Sequence, residues 1–272
     1  INIILIIFKN KNYEKKILIS KKIANPFFTV VTVVKNNKNL ILKTIRSVKS
    51  QSFKNFEYII VDGASTDGTL GVILKRKQDL NFLISENDNG IYYAMNKAIN
   101  IAHGKVIIFV NAGDLITTNA LNIINKKFIA KPKIDFVFGT VKRHYSKSTI
   151  TKFGFNTKRL RYNFDFATSH STGFYIKLSS IKKLGNFNTK YKCSADYDLY
   201  YRAIIKEKLS GVSTPKNQII GIMASGGYSS SISFTEHLFE ETKIRINNGQ
   251  NIFFVFFIFL NALVKFIFKK IF

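Results

Sequence analysis

The sequence predicts an α/β fold in which a mixed sheet is flanked by helices, and three observations support this prediction. Runs of β-branched and aromatic residues alternate along most of the chain with segments of helical periodicity. Several of these runs stop at an acidic residue, as strands of an open α/β sheet do when their carboxyl ends present ligand-binding side chains. A length of 272 residues suits one large domain of this kind, with or without an appendage.

The composition limits the classes of partner. Lys and Arg total 42 against 16 Asp and Glu, a net charge of +26 that favours nucleic acid or an anionic membrane. The sequence has no recognisable nucleic-acid-binding module, so we expect a membrane surface and no nucleic acid. The single cysteine, Cys193, excludes an intrachain disulfide and a cysteine-rich zinc site, and it is compatible with a reducing cytoplasm.

Residues 1–24 are predicted to be an appendage of unknown role. Residues 1–8 are apolar but too few to span a bilayer, and their basic flank follows them, which is the reverse of a signal peptide. Regular alternation of strands and helices begins after Pro26. We therefore place the α/β domain at residues 25–225.

The first part of this domain reads as two strand and helix units. A β-branched run at residues 28–34 predicts a buried strand, and residues 39–50 carry apolar side chains at helical spacing. Residues 57–61 predict a second strand that runs into Asp62 and then into a turn rich in Gly, Ser and Asp. Such a turn places strand-end side chains beside helix-terminal amides, where a ligand can bind. An ordinary tight turn with Asp67 as a helix cap remains an alternative.

Two further strands extend the pattern. Residues 81–85 predict a short strand before an acidic turn that contains Asp88, and residues 91–102 predict a helix. Residues 106–114 read Val-Ile-Ile-Phe-Val-Asn-Ala-Gly-Asp, in which the first five residues predict a strand buried on both faces and the run then breaks into Asn, Gly and the lone acid Asp114. Three successive strand ends that close on an acid indicate one edge of a nucleotide-binding sheet. Taken alone, Asp114 could equally cap a following helix, and Asp88 could serve only its turn.

Four ordered motifs within residues 27–225 resemble those of family 2 glycosyltransferases, most closely the branch that builds bacterial capsule, exopolysaccharide and O-antigen. They are Phe-Thr-Val-Val-Thr-Val-Val-Lys-Asn-Asn at 28–37, Tyr-Ile-Ile-Val-Asp-Gly-Ala-Ser-Thr-Asp-Gly-Thr at 58–69, Glu-Asn-Asp-Asn-Gly-Ile-Tyr-Tyr-Ala-Met-Asn at 86–96 and Val-Asn-Ala-Gly-Asp at 110–114. The resemblance implies the GT-A fold, with a Rossmann-like mixed sheet, and transfer of a sugar from a nucleotide-sugar donor. It leaves the sugar undefined.

The same resemblance implies roles for the polar strand ends. It places Asp62 at the nucleotide base or ribose, and it makes Asp88 and Asn111 further candidates for contacts with the nucleotide sugar. Asp114 corresponds to the metal-binding Asp of the family's acidic motif, which usually has two adjacent acids, whereas Gly113 stands at the first position here. Mg²⁺ or Mn²⁺ takes oxygen ligands, with the sugar diphosphate completing its shell, and would neutralise charge on the leaving group.

The second half is expected to supply the catalytic base. Residues 192–202 read Lys-Cys-Ser-Ala-Asp-Tyr-Asp-Leu-Tyr-Tyr-Arg and resemble the family's Glu-Asp helix start, with Ala195 in place of the Glu. The resemblance makes Asp196 the base. An inverting displacement needs a carboxylate opposite the leaving group, worth about 10² to 10⁴ in rate. Two structural alternatives are that Asp196 is an N-cap and that Asp198 pairs with Arg202 at (i, i+4) spacing.

Two polar segments belong to the predicted acceptor side. His170, beside a predicted strand, is a candidate contact for the phosphates of the nucleotide sugar or for the acceptor, although a lone histidine there is more often structural. In the resembling family a Gly-Gly-x-Ser loop lies near the acceptor, which implies this position for Gly226 and Gly227. Residues 226–272 are therefore predicted to form an acceptor-side loop and a C-terminal helix.

The C-terminal segment predicts a membrane-associating helix. Residues 252–260 are nine uninterrupted apolar residues, five of them Phe, and Asn261, Lys265 and Lys269 then recur every four positions on one helix face. A length of about 21 residues allows a helix in the membrane interface, a spanning helix, or a helix packed on the protein or a partner. The lysines favour the interfacial helix, which would bring the active site to a lipid-linked acceptor.

The sequence therefore predicts an inverting, divalent-metal-dependent glycosyltransferase, peripheral on the cytoplasmic face of the cell membrane. Its donor would be a UDP-, GDP- or dTDP-sugar, and its acceptor a polyprenyl-diphosphate-linked or other glycan of a cell-surface polysaccharide. One alternative is a sugar nucleotidyltransferase, which would favour a Gly-rich phosphate loop after the first strand, where residues 35–37 read Lys-Asn-Asn. The other is a non-catalytic basic protein that binds membrane or nucleic acid and does not depend on Asp114 or Asp196.

Overall fold

The computed structural model describes residues 4–10, 13–21, 23–144, 148–164, 171–224 and 232–271. Its strands are β1 (Ile4–Asn10), β2 (Tyr13–Ser20), β3 (Phe28–Val34), β4 (Phe56–Asp62), β5 (Phe82–Ser85), β6 (Val106–Phe109), β7 (Leu115–Ile116), β8 (Phe136–Phe138), β9 (Thr140–His144), β10 (Thr149–Lys152), β11 (Phe174–Lys177), β12 (Gly211–Ser213) and β13 (Ile219–Met223). Its helices are α1 (Lys38–Lys49), α2 (Thr69–Leu74), α3 (Ile91–Ile101), α4 (Ala120–Ala130), α5 (Thr157–Tyr162), α6 (Leu178–Leu184), α7 (Ala195–Tyr201), α8 (Phe234–Asn247) and α9 (Ile252–Ile271).

The larger sheet has the strand order β1-β2-β5-β4-β3-β6-β11-β8-β12. Strands β5, β4, β3 and β6 are neighbours and run parallel, whereas β11 runs antiparallel between β6 and β8. The carboxyl ends of the four parallel strands therefore meet at one edge of the sheet. The predicted α/β fold with a mixed sheet is confirmed.

Apolar side chains cover both faces of this sheet, which explains why its strands read as continuous apolar runs. Val31 and Ile59 belong to one hydrophobic cluster, with residues of α3, α6, α7 and α8. Val30 and Ile60 belong to the other, with residues of α1, α2 and α4. Burial on both faces holds the strand ends in a fixed layer between two sets of helices.

Gly139 separates β8 from β9, which lie in different sheets. A Cβ atom at Gly139 would lie 2.3 Å from the Ile220 side chain, so only glycine allows β13 to cross at this point. The second sheet has the order β10-β9-β13-β7, and β10 pairs antiparallel with β9. Because β7 directly follows Asp114, this sheet begins at the carboxyl edge of the first one.

The chain before residue 25 adds two strands to the larger sheet. β1 and β2 form an antiparallel hairpin, and β2 continues the sheet by pairing antiparallel with β5, from Ile17 opposite Ser85 to Ser20 opposite Phe82. The hairpin thus covers the edge that β5 would otherwise present. Its role and the domain boundaries predicted from the sequence stay predictions.

The C-terminal helices pack against each other through aromatic rings. Phe234 of α8 stacks on Phe266 of α9 with ring centroids 4.3 Å apart, and Val255 of α9 is fully buried. The opposite side of α9 is open, with Phe253 74% and Phe257 68% exposed. Across the described residues, no helix has the length and apolar character needed to span a membrane.

Arg245 joins α8 to the end of α5 from a fully buried position. Its guanidinium donates to the backbone carbonyl oxygens of Leu160 (2.7 Å), Arg161 (2.9 Å) and Asn163. A fourth hydrogen bond, 2.8 Å long, goes to Oε1 of Gln250 just beyond α8. One side chain therefore satisfies three main-chain acceptors, of which that of Leu160 is fully buried and the other two are partly buried.

We expect Arg245→Met to lower the free energy of unfolding by about 3 kcal/mol, because it leaves buried carbonyl groups without donors. Urea denaturation followed by circular dichroism measures this change. Lys243→Met, an exposed position of the same helix, is the matched control and should change stability by less than about 0.5 kcal/mol. Equal unfolding midpoints for the two variants would contradict the prediction.

Candidate active site

Asp62 is the last residue of β4 and its carboxylate is fully buried. One carboxylate oxygen accepts from the Ser65 hydroxyl, and the other accepts from the Ser65 backbone amide (3.2 Å) and the Ser85 hydroxyl (2.7 Å). Because Ser85 ends β5, this carboxylate ties two neighbouring strand ends together. Asp62 is thus held rigidly at the carboxyl edge of the sheet.

Asp67, in the same turn, is not the helix cap proposed as an alternative, because Gly68 is the N-cap of α2, but it contacts the beginnings of two helices. Its exposed carboxylate accepts from the backbone amides of Thr69 (2.9 Å) and Lys38 (3.0 Å), which lie at the beginnings of α2 and α1. The hydrogen bond from the Thr69 hydroxyl is the main cause that lowers the pKa of Asp67. The two acids of this turn therefore have different roles. Asp67 holds the beginnings of α1 and α2 together, whereas Asp62 is buried at the carboxyl edge of the sheet.

Asp88 lies against the turn that follows Asp62. A Cβ atom added to Gly63 would be 3.3 Å from Oδ2 of Asp88, so the two segments are in contact. Oδ1 of Asp88 pairs with the Lys97 ammonium of α3, which also contacts Glu86 at 2.8 Å. Burial raises the pKa of Asp88, and the hydrogen bond from Lys97 opposes that shift. Asp62 and Asp88 therefore border the same region of the edge.

Asp114 is 6% exposed and both of its carboxylate oxygens accept hydrogen bonds. Oδ2 accepts from the Thr172 hydroxyl (2.7 Å), and Oδ1 accepts from the backbone amide of Ala224 (3.0 Å). The interpretation of Asp114 as a helix cap is wrong, because β7 follows it and α4 begins at Ala120. The carboxylate instead holds the two sheets together at their common edge.

Gly113, where the usual motif has its first acid, has a backbone conformation that excludes most other residues. Its φ of +105° is strained for any residue with a Cβ atom. A Cβ here would also lie 3.3 Å from the side chains of Ala224 and Leu40. With this backbone, the chain supplies one acid rather than two at the end of β6.

Asn111 adds a second oxygen donor near Asp114. Its amide nitrogen donates to the Ser171 hydroxyl (3.2 Å), and its buried Oδ1 has no hydrogen-bond partner among the described residues. Ser171 and Thr172 are adjacent in one 3₁₀ turn, so Asn111 and Asp114 contact the same turn. A carboxylate and an unsatisfied amide oxygen are the donor types that Mg²⁺ and Mn²⁺ prefer. Within the described ranges, no group of three or more His, Cys, Asp or Glu side chains could hold a metal ion.

Asp196 is partly buried in the first turn of α7. Its interpretation as the N-cap is wrong, because Ser194 occupies that position. Tyr92 of α3 brings its hydroxyl within 3.3 Å of Oδ1 of Asp196 and 3.0 Å of the Cys193 carbonyl oxygen. Burial and the charge of Asp196 raise the pKa of Tyr92 well above its usual value, so its phenol keeps the proton. Through Tyr92, α3 connects the turn that holds Asp88 to Asp196.

Glu240 of α8 holds the segment that precedes Asp196. Its carboxylate accepts from three consecutive backbone amides, those of Lys192 (2.6 Å), Cys193 (2.9 Å) and Ser194 (2.8 Å). Sequence reasoning missed Glu240 and Tyr92, because nothing in either local sequence indicates a contact so far along the chain. These two residues set the position of the helix start from outside it.

Asp198 has the structural role expected from its spacing. Its Oδ2 accepts from Nε of Arg202 at 2.8 Å, which confirms the predicted (i, i+4) pair. The same guanidinium donates to the carbonyl oxygens of Leu184 and Asn186 after α6. Three other predicted site residues, His170, Gly226 and Gly227, lie outside the described residues.

Residues 29–186 match the sequence model of the family described as Glycosyl transferase family 2. The chain belongs to this family. Membership confirms the resemblance carried by the four motifs and identifies the protein as a glycosyltransferase, which decides against the nucleotidyltransferase and non-catalytic alternatives. The matched residues include Asp62, Asp88, Asn111 and Asp114, whereas Asp196 lies ten residues beyond the end of the match.

Two similar proteins have names that describe them as glycosyltransferases. A PGL/p-HBAD biosynthesis glycosyltransferase of Mycobacterium tuberculosis is 27% identical over 185 residues, which cover 66% of this chain and 70% of the relative. The Escherichia coli protein WfaP is 35% identical over 112 residues, or 40% of this chain and 44% of WfaP. Its name is UDP-Glc:alpha-D-GlcNAc-diphosphoundecaprenol beta-1,3-glucosyltransferase. These relatives support a family 2 glycosyltransferase in polysaccharide biosynthesis.

Two solved structures share the fold. S. aureus TarS 1–349 in complex with UDP-GlcNAc has a TM-score of 0.66 and 20% identity, covering 87% of this chain and 71% of that one. Against TarS 1–349 with UDP, this chain spans 64% of the TarS chain. Mannosyltransferase PcManGT from Pyrobaculum calidifontis, in complex with GDP-Man and Mn²⁺, has a TM-score of 0.60 and 19% identity. The alignment covers 82% of this chain and 64% of PcManGT. These likenesses confirm the GT-A fold.

Glu241 of α8 gives the protein a pH dependence that can be measured. Burial raises the pKa of its partly buried carboxyl from 4.5 to about 8, and the charge of Asp196 adds to the shift. Between these values the folded protein retains a proton that the unfolded chain has released, so stability falls as pH rises through this window. We expect the melting temperature to fall from pH 5 to pH 9, and to fall less in Glu241→Gln. Differential scanning fluorimetry measures both slopes.

The control for this measurement is Glu207→Gln, which changes an exposed glutamate after the π-helical turn Arg202–Lys206 that continues α7. Its slope should equal that of the wild type. Identical slopes for the wild type and Glu241→Gln would show that Glu241 carries no proton in the folded protein at neutral pH.

Proposed function

We propose that this glycosyltransferase moves a sugar from a nucleotide-sugar donor to a lipid-linked glycan during synthesis of a cell-surface polysaccharide. The observation that carries the proposal is the grouping of acids at one edge. Asp62, Asp88 and Asp114 lie at or beside the ends of parallel strands, and Tyr92 links Asp196 to this side of the fold. The acceptor class is supported by WfaP, whose name specifies a diphosphoundecaprenol-linked sugar.

The donor would bind across the ends of β4, β5 and β6. Asp62 is assigned to the nucleotide base or ribose, where its bonds to Ser65 and Ser85 would hold it in one orientation. Asp88 is assigned to a further contact with the nucleotide sugar and His170 to its phosphates, whereas Asn111, predicted to contact the nucleotide sugar, is reassigned to the cation because its Oδ1 is unsatisfied. UDP, UDP-GlcNAc and GDP-Man occupy the solved relatives of this fold, which supports a UDP-, GDP- or dTDP-linked donor.

Asp114 and Asn111 would hold a divalent cation, Mg²⁺ or Mn²⁺. The proposal is supported by the oxygen-donor types, by the unsatisfied Oδ1 of Asn111 and by the Mn²⁺ in the mannosyltransferase complex. When bound, such a cation neutralises the charge that develops on the nucleoside diphosphate as it leaves. Thr172 and the Ala224 amide orient the carboxylate of Asp114, so its position does not depend on solvent.

Asp196 is assigned as the base of an inverting displacement. An acceptor hydroxyl oxygen attacks the anomeric carbon while its proton passes to a carboxylate oxygen of Asp196. The bond from that carbon to the diphosphate oxygen breaks, and the electron pair leaves with the nucleoside diphosphate. The N-terminus of α7 and the Tyr92 hydroxyl both favour the ionised form that accepts the proton.

The protein is proposed to work as a peripheral protein on the cytoplasmic face of the cell membrane. The open phenylalanine side of α9 and the net charge of +26 support attachment to an anionic lipid surface. In this arrangement residues 25–225 carry the catalytic domain, and residues 226–272 supply the acceptor-side loop and the attachment helix.

A donor screen tests the proposed chemistry. Purified protein is incubated with Mg²⁺ or Mn²⁺, a panel of UDP-, GDP- and dTDP-sugars and membrane extract as the acceptor source, and released nucleoside diphosphate is measured. We expect release from one donor, removal of activity by EDTA, and a loss of about 10² to 10⁴ in rate for Asp196→Asn, since the amide cannot accept the proton. Asp114→Asn should lose activity and raise the metal concentration needed for half-maximal rate.

Glu207→Gln is the control and should keep full activity, because this glutamate is exposed and outside the site. Isothermal titration of each variant with the chosen donor separates binding from chemistry. If Asp196→Asn turns over the donor as fast as the wild type, Asp196 is not the base. If EDTA has no effect on rate, the cation assigned to Asp114 plays no part.

A further inference from the structure

A cavity of about 350 Å³ lies where the end of α5, the π-helical turn and the connection from α8 to α9 meet. We propose that this cavity binds the phosphate of an anionic membrane phospholipid while the exposed phenylalanine face of α9 enters the bilayer. The proposal deepens the membrane attachment proposed above by naming a headgroup site. It does not depend on the assigned donor or base.

The charge of the lining favours an anion. Arg161 and Lys206 line the cavity from α5 and the π-helical turn, and no acid is among the lining residues in the part of the chain that the structure describes. Both side chains are exposed, so they can reach a phosphate at the surface of the protein. Tyr162 and Tyr201 line the same cavity and supply aromatic walls with hydroxyl groups. Two cations beside aromatic surface fit a headgroup at the boundary between water and acyl chains.

The position of Arg161 is fixed by buried groups rather than by solvent. Its carbonyl oxygen accepts from the fully buried Arg245 (2.9 Å) and from Nε2 of Gln250 (2.8 Å). Oε1 of Gln250 accepts from the Tyr201 hydroxyl at 3.1 Å, so the floor of the cavity is one hydrogen-bonded unit. The backbone at Arg161 is therefore already ordered, and a bound phosphate would have to order only the exposed side chain.

The cavity opens at one end of the apolar face of α9. Phe254 lines it and packs edge-to-face on Tyr162, with ring centroids 5.6 Å apart. The exposed apolar side chains of α9 recur at helical spacing, at Phe253, Phe256, Phe257, Leu260, Val264, Ile267 and Phe268. They extend along about 22 Å of helix, at 1.5 Å per residue. Acyl chains beside this face would place a phosphate level with Arg161 and Lys206.

Charge also decides between a lipid surface and a second copy of the chain as the occupant of this face. A net charge of +26 repels another copy and attracts anionic lipid. On an anionic membrane Arg161 and Lys206 would meet phosphate.

Vesicle flotation tests the proposal with the full chain. Vesicles of phosphatidylcholine alone are compared with vesicles that contain about one third phosphatidylglycerol, as in anionic membranes. The variants are Arg161→Gln with Lys206→Gln, and Phe253→Ser with Phe257→Ser. The matched control is Lys131→Gln with Lys133→Gln. These two exposed lysines follow α4 and do not line the cavity, so their substitution removes the same charge at a different place.

We expect the Arg161 and Lys206 variant to bind phosphatidylglycerol vesicles at least fivefold more weakly than the matched control, and the phenylalanine variant to bind neither vesicle. A loss equal to that of the control would overturn the headgroup site and leave only general charge attraction. If the wild type is a dimer that does not bind vesicles, and the phenylalanine variant is a monomer, a second copy of the chain covers this face and the lipid proposal is overturned. Release of nucleoside diphosphate from the donor is measured on the same samples without acceptor. This readout tests the proposed catalysis independently of vesicle binding.

Glycerol 1-phosphate in thermal-shift assays distinguishes a lipid from a soluble phosphate ligand. We expect no stabilisation at millimolar concentration, because the soluble headgroup lacks the acyl chains that α9 would contact. Stabilisation by glycerol 1-phosphate that disappears in the Arg161 and Lys206 variant, together with unchanged vesicle binding, would assign the cavity to a soluble phosphate ester and overturn the lipid proposal.

Discussion

The buried carboxylate of Asp114 is the contact on which the arrangement of the candidate site depends. It accepts hydrogen bonds from Thr172, 58 residues along the chain, and from the amide of Ala224, 110 residues along the chain. These bonds join the end of β6 to the turn before β11 and to the end of β13. A buried carboxylate needs such donors, since an unsatisfied charge inside a protein is costly. The residue assigned to the metal is therefore also the residue that holds the two sheets at their shared edge.

The pattern of apolar residues predicted the four parallel strands of the larger sheet well. Strand β3 has the predicted bounds, and β4, β5 and β6 differ from prediction by one or two residues, because strands buried on both faces are nearly continuous apolar runs. The division at Gly139 could not be predicted, since it depends on the distant Ile220 side chain. Asp62 and Asp114 were found from their strand ends. The contacts of Tyr92 and Glu240 with the Asp196 segment arise only when α3 and α8 pack beside α7.

Helix α8 lies between the segment that carries Asp196 and the C-terminal helix α9. Near its middle, Glu240 holds the backbone amides before Asp196, and one turn further Arg245 holds the carbonyl groups after α5. The first contact involves the segment assigned to proton transfer, and the second shapes the cavity proposed for a lipid phosphate. One helix therefore contacts both the segment that carries Asp196 and the region proposed for attachment.

The left-handed backbone at Gly113 limits how this glycosyltransferase can change. A second acid at this position would need the loop after β6 to change shape, and Ala224 and Leu40 to move apart. An acid introduced at this position would therefore add strain to the loop as well as charge to the edge, so the number of acids in the motif and the shape of this loop are linked.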